Sequence, residues 1–384
     1  MTTLTLDQVT KVYRIKREPD IRAVDAVDMV VEDGEIVGLL GSSGCGKTST
    51  LRMIAGFEDV TSGDIRAGDR VLNELPPASR KIAMAFEGYA LYPPLRIRDN
   101  IAFGLLRDRR RQVDINAKVE EIANLLEIDD ILERYPPTLS GGQQQRTSLA
   151  RALARPADVH LLDEPMSQLE PQLRAILRAR IKDYLIQNKL TTIFVTHDQT
   201  EALALADRIA VMDNGKLMQY GTGDDLKDRP ANLYVASFIG EPPMNVFDTL
   251  ARRGVDGRRL DIQTTEGGMA SALDLPRASS ADADLQDYRK LVLGIRPHQI
   301  RFGSFPEVGP VLKGKVTSNQ WLGDQTHIGI ETGGKLVIAV SDGSFGAPVD
   351  SAIEVTLPLA NLHLFDGESG KALHHGVTIT GAAA

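Results

Sequence analysis

Residues Gly41–Thr48 read GSSGCGKT and follow the apolar run EIVGLL at Glu35–Leu40. The run predicts a buried strand, and Thr48–Ala55 predicts a helix closed by a glycine. The loop glycines let successive backbone N–H groups surround a polyphosphate, Lys47 can reach its outer phosphates, and the Thr48 hydroxyl can bind Mg²⁺. The stretch indicates a nucleoside triphosphate site with contacts from Gly41, Ser42, Ser43, Gly44, Cys45, Gly46, Lys47, Thr48 and Ser49.

Two further strand ends carry polar side chains. The apolar run Val159–Leu162 is followed by Asp163 and Glu164, and the run Thr191–Val195 leads to His197. An Asp-Glu pair alone is more often part of a solvated loop. Its place directly after a buried strand favours a role in metal binding or catalysis. We therefore predict that Asp163 holds Mg²⁺ through a water. Glu164 is the candidate general base for an attacking water.

A third motif, LSGGQQQR at Leu139–Arg146, lies between the phosphate loop and the acidic strand end. In this order and company the motifs resemble those of the ATP-binding subunits of ABC transporters, and the resemblance covers essentially the whole chain. It implies that the cofactors are ATP and Mg²⁺ and that the reaction is ATP hydrolysis. It also implies that His197 contacts the γ-phosphate and the attacking water, so the catalytic residues would be Lys47, Glu164 and His197.

The resemblance assigns further residues. Tyr13, which closes the first predicted strand, would stack on adenine, with an edge-strand aromatic that packs locally as the alternative. Ser140, Gly142 and Gln143 would close over ATP bound by a second subunit, so that each ATP lies between two chains. The segment Gly88–Asn100 would face the membrane subunits.

Three positions depart from the family pattern. Glu87 stands where a glutamine normally ends the strand before the membrane-facing loop. A carboxylate still offers oxygen, so Glu87 is kept with Thr48 and Asp163 as a metal ligand and as a nucleotide contact. Glu170 replaces an aspartate and is longer by one bond, and His160 interrupts a strand face that is usually apolar.

Length and pattern predict two domains. The 384 residues exceed one typical domain. Residues 1–240 alternate apolar strands with amphipathic helices, as α/β proteins do, and residues of about 88–156 predict an inserted helical subdomain. Residues 241–384 predict a small β-barrel of the oligonucleotide-fold type. The strands predicted there are Lys290–Ile295, Val311–Val316, Thr326–Ile330, Leu336–Val340 and Ile353–Leu357.

Two C-terminal strings narrow the resemblance. LGIRPH at Leu293–His298 and NLHLFD at Asn361–Asp366 are similar to the C-terminal domain of carbohydrate-uptake ABC importers. This likeness implies the ATP-hydrolysing subunit for import of a sugar, polyol, glycerol or glycerol phosphate, with a regulatory C-terminal domain. The implied partners are two transmembrane permease subunits, a second ATP-binding subunit and, indirectly, an extracytoplasmic solute-binding protein.

Composition and charge argue against a membrane-spanning, secreted or nucleic-acid-binding protein. Hydrophobic residues make up 42% of the chain and charged residues 25%, as in globular proteins. No apolar run reaches the roughly 18–20 residues that span a bilayer, and the N-terminus lacks the plan of a signal peptide. We therefore expect a peripheral protein at the cytoplasmic face of the cell membrane. The net charge of −8 argues against binding of nucleic acid.

Two alternatives bear on function. A soluble ABC ATPase of DNA repair or translation would need long coiled-coil insertions or tandem cassettes, and the sequence has neither. A weakly active subunit paired with a better ATPase would accommodate Glu87 and Glu170, because these residues would reach ATP from opposite sides of a dimer interface. That arrangement slightly favours a heterodimer over a homodimer.

Overall fold

The structure describes most of the chain and divides it into two units. The computed structural model describes residues 2–14, 19–106, 111–253, 257–263, 269–276, 290–343 and 345–376. The first unit is Met1–Gly223 and the second is Asp224–Ala384. Among the described residues, no helix is both long enough and apolar enough to cross a bilayer.

The first unit alternates strands and helices, as predicted. Its described strands are β1 (Leu4–Tyr13), β2 (Ile21–Val31), β3 (Ile36–Gly41), β4 (Ser62–Ala67), β5 (Arg70–Val71), β6 (Ile82–Ala85), β7 (Val159–Asp163), β8 (Thr192–Thr196), β9 (Arg208–Asp213) and β10 (Lys216–Gly221). Its described helices are α1 (Lys47–Ala55), α2 (Ile97–Leu106), α3 (Gln112–Leu125), α4 (Gly141–Ala154), α5 (Pro171–Gln187) and α6 (Gln199–Leu205). The α/β fold class is therefore confirmed.

The central sheet of this unit has the strand order β10-β9-β3-β8-β7-β6. Its strands are parallel except for β10, which pairs antiparallel with β9. Strands β3, β7 and β8 are buried along their whole length, as continuous apolar runs are in parallel sheets covered on both faces. Since parallel strands end at the same edge, the residues that follow β3, β7 and β8 meet there.

A second, antiparallel sheet has the order β2-β1-β4-β5 and packs against α1. Leu4 and Leu6 of β1 share a core with Leu39 of β3 and Leu51 of α1. Burying one such aliphatic side chain stabilises a fold by about 1.5–3 kcal/mol. This packing brings Tyr13, the last residue of β1, close to α1.

Three helices occupy the segment for which the sequence predicts a helical subdomain. Ile101 of α2, Val119 of α3 and Leu153 of α4 lie in one core and are almost fully buried. The buried Asn100 side chain donates to the carbonyl oxygens of Tyr92, Leu95 and Arg96 and accepts from the N–H of Tyr92. These hydrogen bonds fix the turn that leads into α2.

The second unit is the predicted β-rich domain. Two short helices, α7 (Gly223–Asp228) and α8 (Leu233–Phe238), precede the strands. The strands are β11 (Asn245–Arg253), β12 (Gly257–Gln263), β13 (Met269–Pro276), β14 (Lys290–Ile295), β15 (Arg301–Phe302), β16 (Val311–Trp321), β17 (Thr326–Thr332), β18 (Lys335–Ser341), β19 (Ala352–Thr356), β20 (His363–Asp366) and β21 (Ala372–His375). They form two antiparallel sheets, β13-β12-β11-β14-β20-β21 and β15-β19-β16-β17-β18, which enclose a core that includes Phe247, Leu293, Val316 and Leu364.

The units divide after Gly223, whereas the sequence places a domain boundary near Gly240. One contact that joins the intervening segment to the second unit is made by Arg296, which is buried and donates to the carbonyl oxygens of Lys227, Ala236 and Ile239. A buried guanidinium with several acceptors fixes the chain that supplies them. The segment that holds α7 and α8 therefore packs with the β-rich unit.

His160 is a buried titratable group in the middle of β7. Its side chain is 1% exposed, its Nε2 lies 3.3 Å from the carbonyl oxygen of Arg155, and its Nδ1 has no hydrogen-bond partner among the described residues. Burial lowers the pKa of His160 to about 4. The imidazole is therefore neutral in the folded chain at physiological pH.

This burial predicts a pH-dependent stability. In the unfolded chain the pKa of His160 returns to about 6.5, so as the pH falls from 6.5 towards 4 only the unfolded state takes up the proton, and the fold loses stability. His160→Leu removes this loss. Relative to the wild type, the variant should gain about 2 kcal/mol in free energy of unfolding between pH 7.5 and pH 5. Denaturant titrations of both proteins at the two pH values measure the gain, and a difference that does not change with pH would contradict the assignment.

Candidate nucleotide and catalytic site

The phosphate loop connects the end of β3 to the start of α1. Gly46 precedes α1 with φ 107°, and a Cβ at this position would lie 2.3 Å from the carbonyl oxygen of Ala23. Only glycine meets both conditions, because a positive φ and a close backbone approach each exclude a side chain. Ser42, Ser43 and Gly44 are exposed at the tip of the loop. The loop thus presents backbone groups to solvent in front of a helix start, which is the arrangement that binds phosphate.

Lys47 holds its ammonium group inside the curve of this loop. The Nζ atom donates to the carbonyl oxygens of Gly41 at 2.7 Å and Ser42 at 2.9 Å, and the side chain is 7% exposed. Cys45 is also buried, with its Sγ 3.7 Å from the same Nζ. Burial raises the pKa of the Cys45 thiol, so this cysteine is a neutral packing residue of the loop.

Thr48 and Asp163 bring two oxygen donors together across the sheet edge. The Thr48 hydroxyl lies 3.4 Å from the Asp163 carboxylate, which is 5% exposed. Burial, followed by the charges of Glu87 and Glu164, raises the pKa of Asp163 to about 6, and the hydrogen bond from Thr48 offsets only part of this effect. A hydroxyl beside crowded carboxylates is a donor set that fits a hard cation such as Mg²⁺.

Glu164 and His197 form the third pair of the site. Glu164 follows β7 with φ 47°, and its N–H donates to the carbonyl oxygen of Val195 at 3.1 Å. Its carboxylate Oε1 lies 3.2 Å from the Nδ1 of His197, whose side chain is 65% exposed. The parallel pairing of Asp163 with Val195 brings these two strand ends side by side. A carboxylate oriented by an imidazole at an open edge can accept a proton from water.

Ser140, Gly142 and Gln143 lie at or just before the start of α4. Ser140 caps α4, where the N–H of Gln143 donates to the Ser140 hydroxyl at 3.4 Å and the N–H of Ser140 donates to the Gln143 side chain at 3.1 Å. A Cβ on Gly142 would lie 3.2 Å from the carbonyl oxygen of Gln168. The hydrogen bonds of Ser140 and Gln143 thus close on each other at the start of α4, and the structure does not join them to the phosphate loop of the same chain.

Tyr13 lies beside the start of α1, and neighbouring side chains bind its hydroxyl. It lies 3.1 Å from the Ser49 hydroxyl and donates to the carboxylate of Glu58, and the ammonium group of Lys11 lies 4.9 Å from the ring centroid. Burial and the bond to Glu58 raise the pKa of Tyr13. These contacts fix the tilt of the ring next to the phosphate loop.

The two glutamates that depart from the family pattern are exposed. Glu87 follows β6 and lies near enough to Asp163 for its charge to raise the Asp163 pKa. Glu170 precedes Pro171, the first residue of α5, and its side chain makes no capping hydrogen bond to that helix. The structure therefore places Glu87 beside the Asp163 carboxylate of its own chain and leaves Glu170 exposed, with no capping bond to α5.

Gln145 and Arg174 contact the loops next to Glu164 and His197, and neither residue is predicted from the sequence. Gln145 is 3% exposed and hydrogen-bonds to the loop that follows Glu164. Arg174 lies 3.5 Å from Asp198, which adjoins His197. For Gln145, the sequence signal is a glutamine on the face of α4 that carries its buried residues. No local sequence pattern indicates a role for Arg174.

Two family models match the chain, one in each unit. The ABC transporter model matches residues 24–167, and the TOBE domain model matches residues 293–365. A solved dimeric structure of an ATP-binding cassette in a post-hydrolysis state, bound to ADP and Pi, covers 57% of this chain and 98% of its own, with a TM-score of 0.53 and 27% identity. The first unit therefore has the fold of that cassette.

Full-length relatives narrow the family further. A xylose/arabinose import ATP-binding protein of Haloferax volcanii is 41% identical and covers 97% of this chain and 96% of that protein. An sn-glycerol-3-phosphate import ATP-binding protein of Chromobacterium violaceum is 38% identical, with coverage of 98% and 97%. A trehalose/maltose import ATP-binding protein of Thermococcus litoralis is 38% identical, with coverage of 92% and 96%. The chain therefore belongs to the ABC transporter family, as an ATP-binding subunit that energises import by hydrolysing ATP.

Proposed function

We propose that ATP is hydrolysed at the edge where β3, β7 and β8 end, with Glu164 as general base and Lys47 as phosphate clamp. The observation that carries this assignment is the 3.2 Å contact between Glu164 Oε1 and His197 Nδ1. The contact lies in the same edge of the sheet as the phosphate loop. Phosphoryl transfer needs positioned phosphates, positive charge and an oriented water, and these residues supply each of them.

The same residues account for a divalent cation. Thr48 and Asp163 would hold Mg²⁺, and Glu87 would add a further oxygen, while the bound cation neutralises charge that develops on the phosphates. Burial, followed by the charges of Glu87 and Glu164, raises the pKa of Asp163 to about 6. A bound cation would favour the ionised carboxylate, which supports this role.

We also propose that ATP lies between two chains of a dimer. The start of α4 carries Ser140, Gly142 and Gln143, whose side chains and backbone face solvent or are partly exposed. A capped helix start of this kind favours a phosphate in front of it. In the dimer, these residues of one chain would close over ATP on Gly41–Ser49 of the other. Tyr13 would bind the adenine, and the hydroxyl contact with Ser49 supports its placement at the nucleotide.

The partners are two permease subunits of an importer in the cell membrane, with this chain peripheral on the cytoplasmic face. A groove of about 800 Å³ lies next to the segment Gly88–Asn100 in the first unit. Phe57, Tyr92 and Phe103 line this groove, and each of these side chains is more than two-fifths exposed. The basic residue Arg151 also lines the groove. Exposed aromatic rings beside a cation favour a protein partner. The names of the relatives support a solute that is a sugar, polyol, glycerol or glycerol phosphate, delivered by an extracytoplasmic binding protein.

The first test separates water activation from nucleotide binding. Glu164→Gln keeps the shape of the side chain but cannot accept the proton, so kcat of the assembled transporter should fall by about 10²–10⁴-fold while ATP-dependent dimer closure persists. Lys47→Ala removes a charged donor and should weaken ATP binding by roughly 10–100-fold. Glu120→Gln, an exposed glutamate of α3, is the matched control and should hydrolyse ATP like the wild type. Normal turnover by Glu164→Gln would remove the assignment.

The second test concerns the composition of the dimer. The heterodimer slightly favoured on sequence, and the weakly active subunit with it, have no support among the relatives. They rest on the two unusual glutamates, Glu87 and Glu170, alone. Glu87→Gln keeps an oxygen ligand and removes a charge next to Asp163, so it should preserve or raise kcat. If the dimer were a heterodimer, purified membrane complexes would contain two different ATP-binding chains in equal amounts. A complex with two copies of this chain that hydrolyses ATP at full rate would contradict the heterodimer.

A further inference from the structure

Gln145 is a buried amide that links α4 to the loop after the proposed base. Its Nε2 donates to the carbonyl oxygen of Glu164 at 2.8 Å and to the Ser167 hydroxyl at 3.0 Å. Its Oε1 accepts from the N–H of Gln168 at 2.9 Å. The side chain is 3% exposed, so these three hydrogen bonds have no competition from bulk water.

Glu164 needs such a partner because its backbone is in an unfavourable conformation. A φ of 47° is uncommon for a residue with a side chain and persists only where surrounding contacts impose it. The N–H of Glu164 is held by the carbonyl oxygen of Val195, and its own carbonyl oxygen is held by Gln145. These two bonds fix both peptide planes of Glu164, and the fixed backbone directs the carboxylate to His197.

We infer that Gln145 is a positioning residue for Glu164, an inference that rests on the proposed role of Glu164 as the base. Gln145 lies in the second turn of α4, roughly 7 Å along the helix from Ser140. The helix start that would close over the partner's ATP is therefore connected, by one side chain, to the base that acts on ATP in its own chain. Closure at one site of the dimer sets the geometry of the base at the other.

The loop held by Gln145 is braced on its other side by α5. Arg174 of α5 donates to the carbonyl oxygens of Ser167 and Leu169 and lies 3.5 Å from Asp198. Asp198 adjoins His197 and caps α6. The loop is thus fixed between α4 and α5, so a displacement that enters through Gln145 reaches both Glu164 and the neighbourhood of His197.

Two variants of Gln145 in the assembled transporter test this role. Gln145→Met keeps the length of the side chain and loses all three hydrogen bonds. Gln145→Glu keeps an acceptor for the N–H of Gln168 but, when ionised, donates nothing to Glu164, so it serves if the first variant folds poorly. Both should lower kcat by about 10–100-fold at saturating ATP, leave KM for ATP within about twofold, and retain ATP-dependent dimer closure. Gln187→Met, an exposed glutamine at the end of α5, is the matched control and should keep the wild-type kcat.

The decisive arm combines these changes with Glu164→Gln. If Gln145 acts through the base, Gln145→Met should not lower the residual turnover of Glu164→Gln any further, because the group it positions is already gone. A further loss of the same factor in the double variant, a wild-type kcat in Gln145→Met, or a rise in KM that accounts for the loss would each overturn the inference. A wild-type kcat in Glu164→Gln would instead overturn the proposed function, so the two failures are distinguishable.

Discussion

The parallel pairing of β3, β7 and β8 is the constraint on which the site depends. Register pairs Leu40 with Thr196 and Asp163 with Val195, so three strands that are distant in sequence end at one edge. Each strand is buried along its length, so a slip by one residue would move every side chain to the opposite face and disturb the packing on both faces of the sheet. The hydrophobic core thereby fixes where a lysine, two carboxylates and a histidine meet.

Local sequence was sufficient wherever a short pattern determines the structure. The spacing of the glycines predicts the phosphate loop, the α1 helix and the glycine that ends it. Gly46 and Gly56, on either side of α1, both have positive φ, which favours glycine. Strand β14 has the predicted bounds, Lys290–Ile295. A continuous apolar run between polar residues indicates where such a strand begins and ends. The resemblance to a known family then supplied roles, such as those of Tyr13 and Ser140, that spacing alone does not carry.

Features that depend on contacts distant in sequence could not be predicted. One contact behind the boundary after Gly223 is made by Arg296, which binds carbonyl groups some sixty residues earlier in the chain. In the sequence, Gln145 is one of three consecutive glutamines in a polar motif. Only the fold shows that its side chain binds the loop after Glu164. The hydroxyl contacts of Tyr13 with Ser49 and Glu58 likewise join separate elements. A local sequence pattern indicates which secondary structure a segment favours. These contacts depend instead on which distant segments pack against it.

We have proposed that one sheet edge of this chain binds the triphosphate while the start of α4 in a second chain closes over it. A structure of the assembled transporter carrying Glu164→Gln, determined with ATP and Mg²⁺, would show both contacts at once. We expect a triphosphate on the backbone of Gly41–Thr48, the cation at Thr48 and Asp163, and Ser140 and Gly142 of the other ATP-binding chain at the γ-phosphate. ATP bound within a single chain, or a cation held away from Asp163, would contradict it.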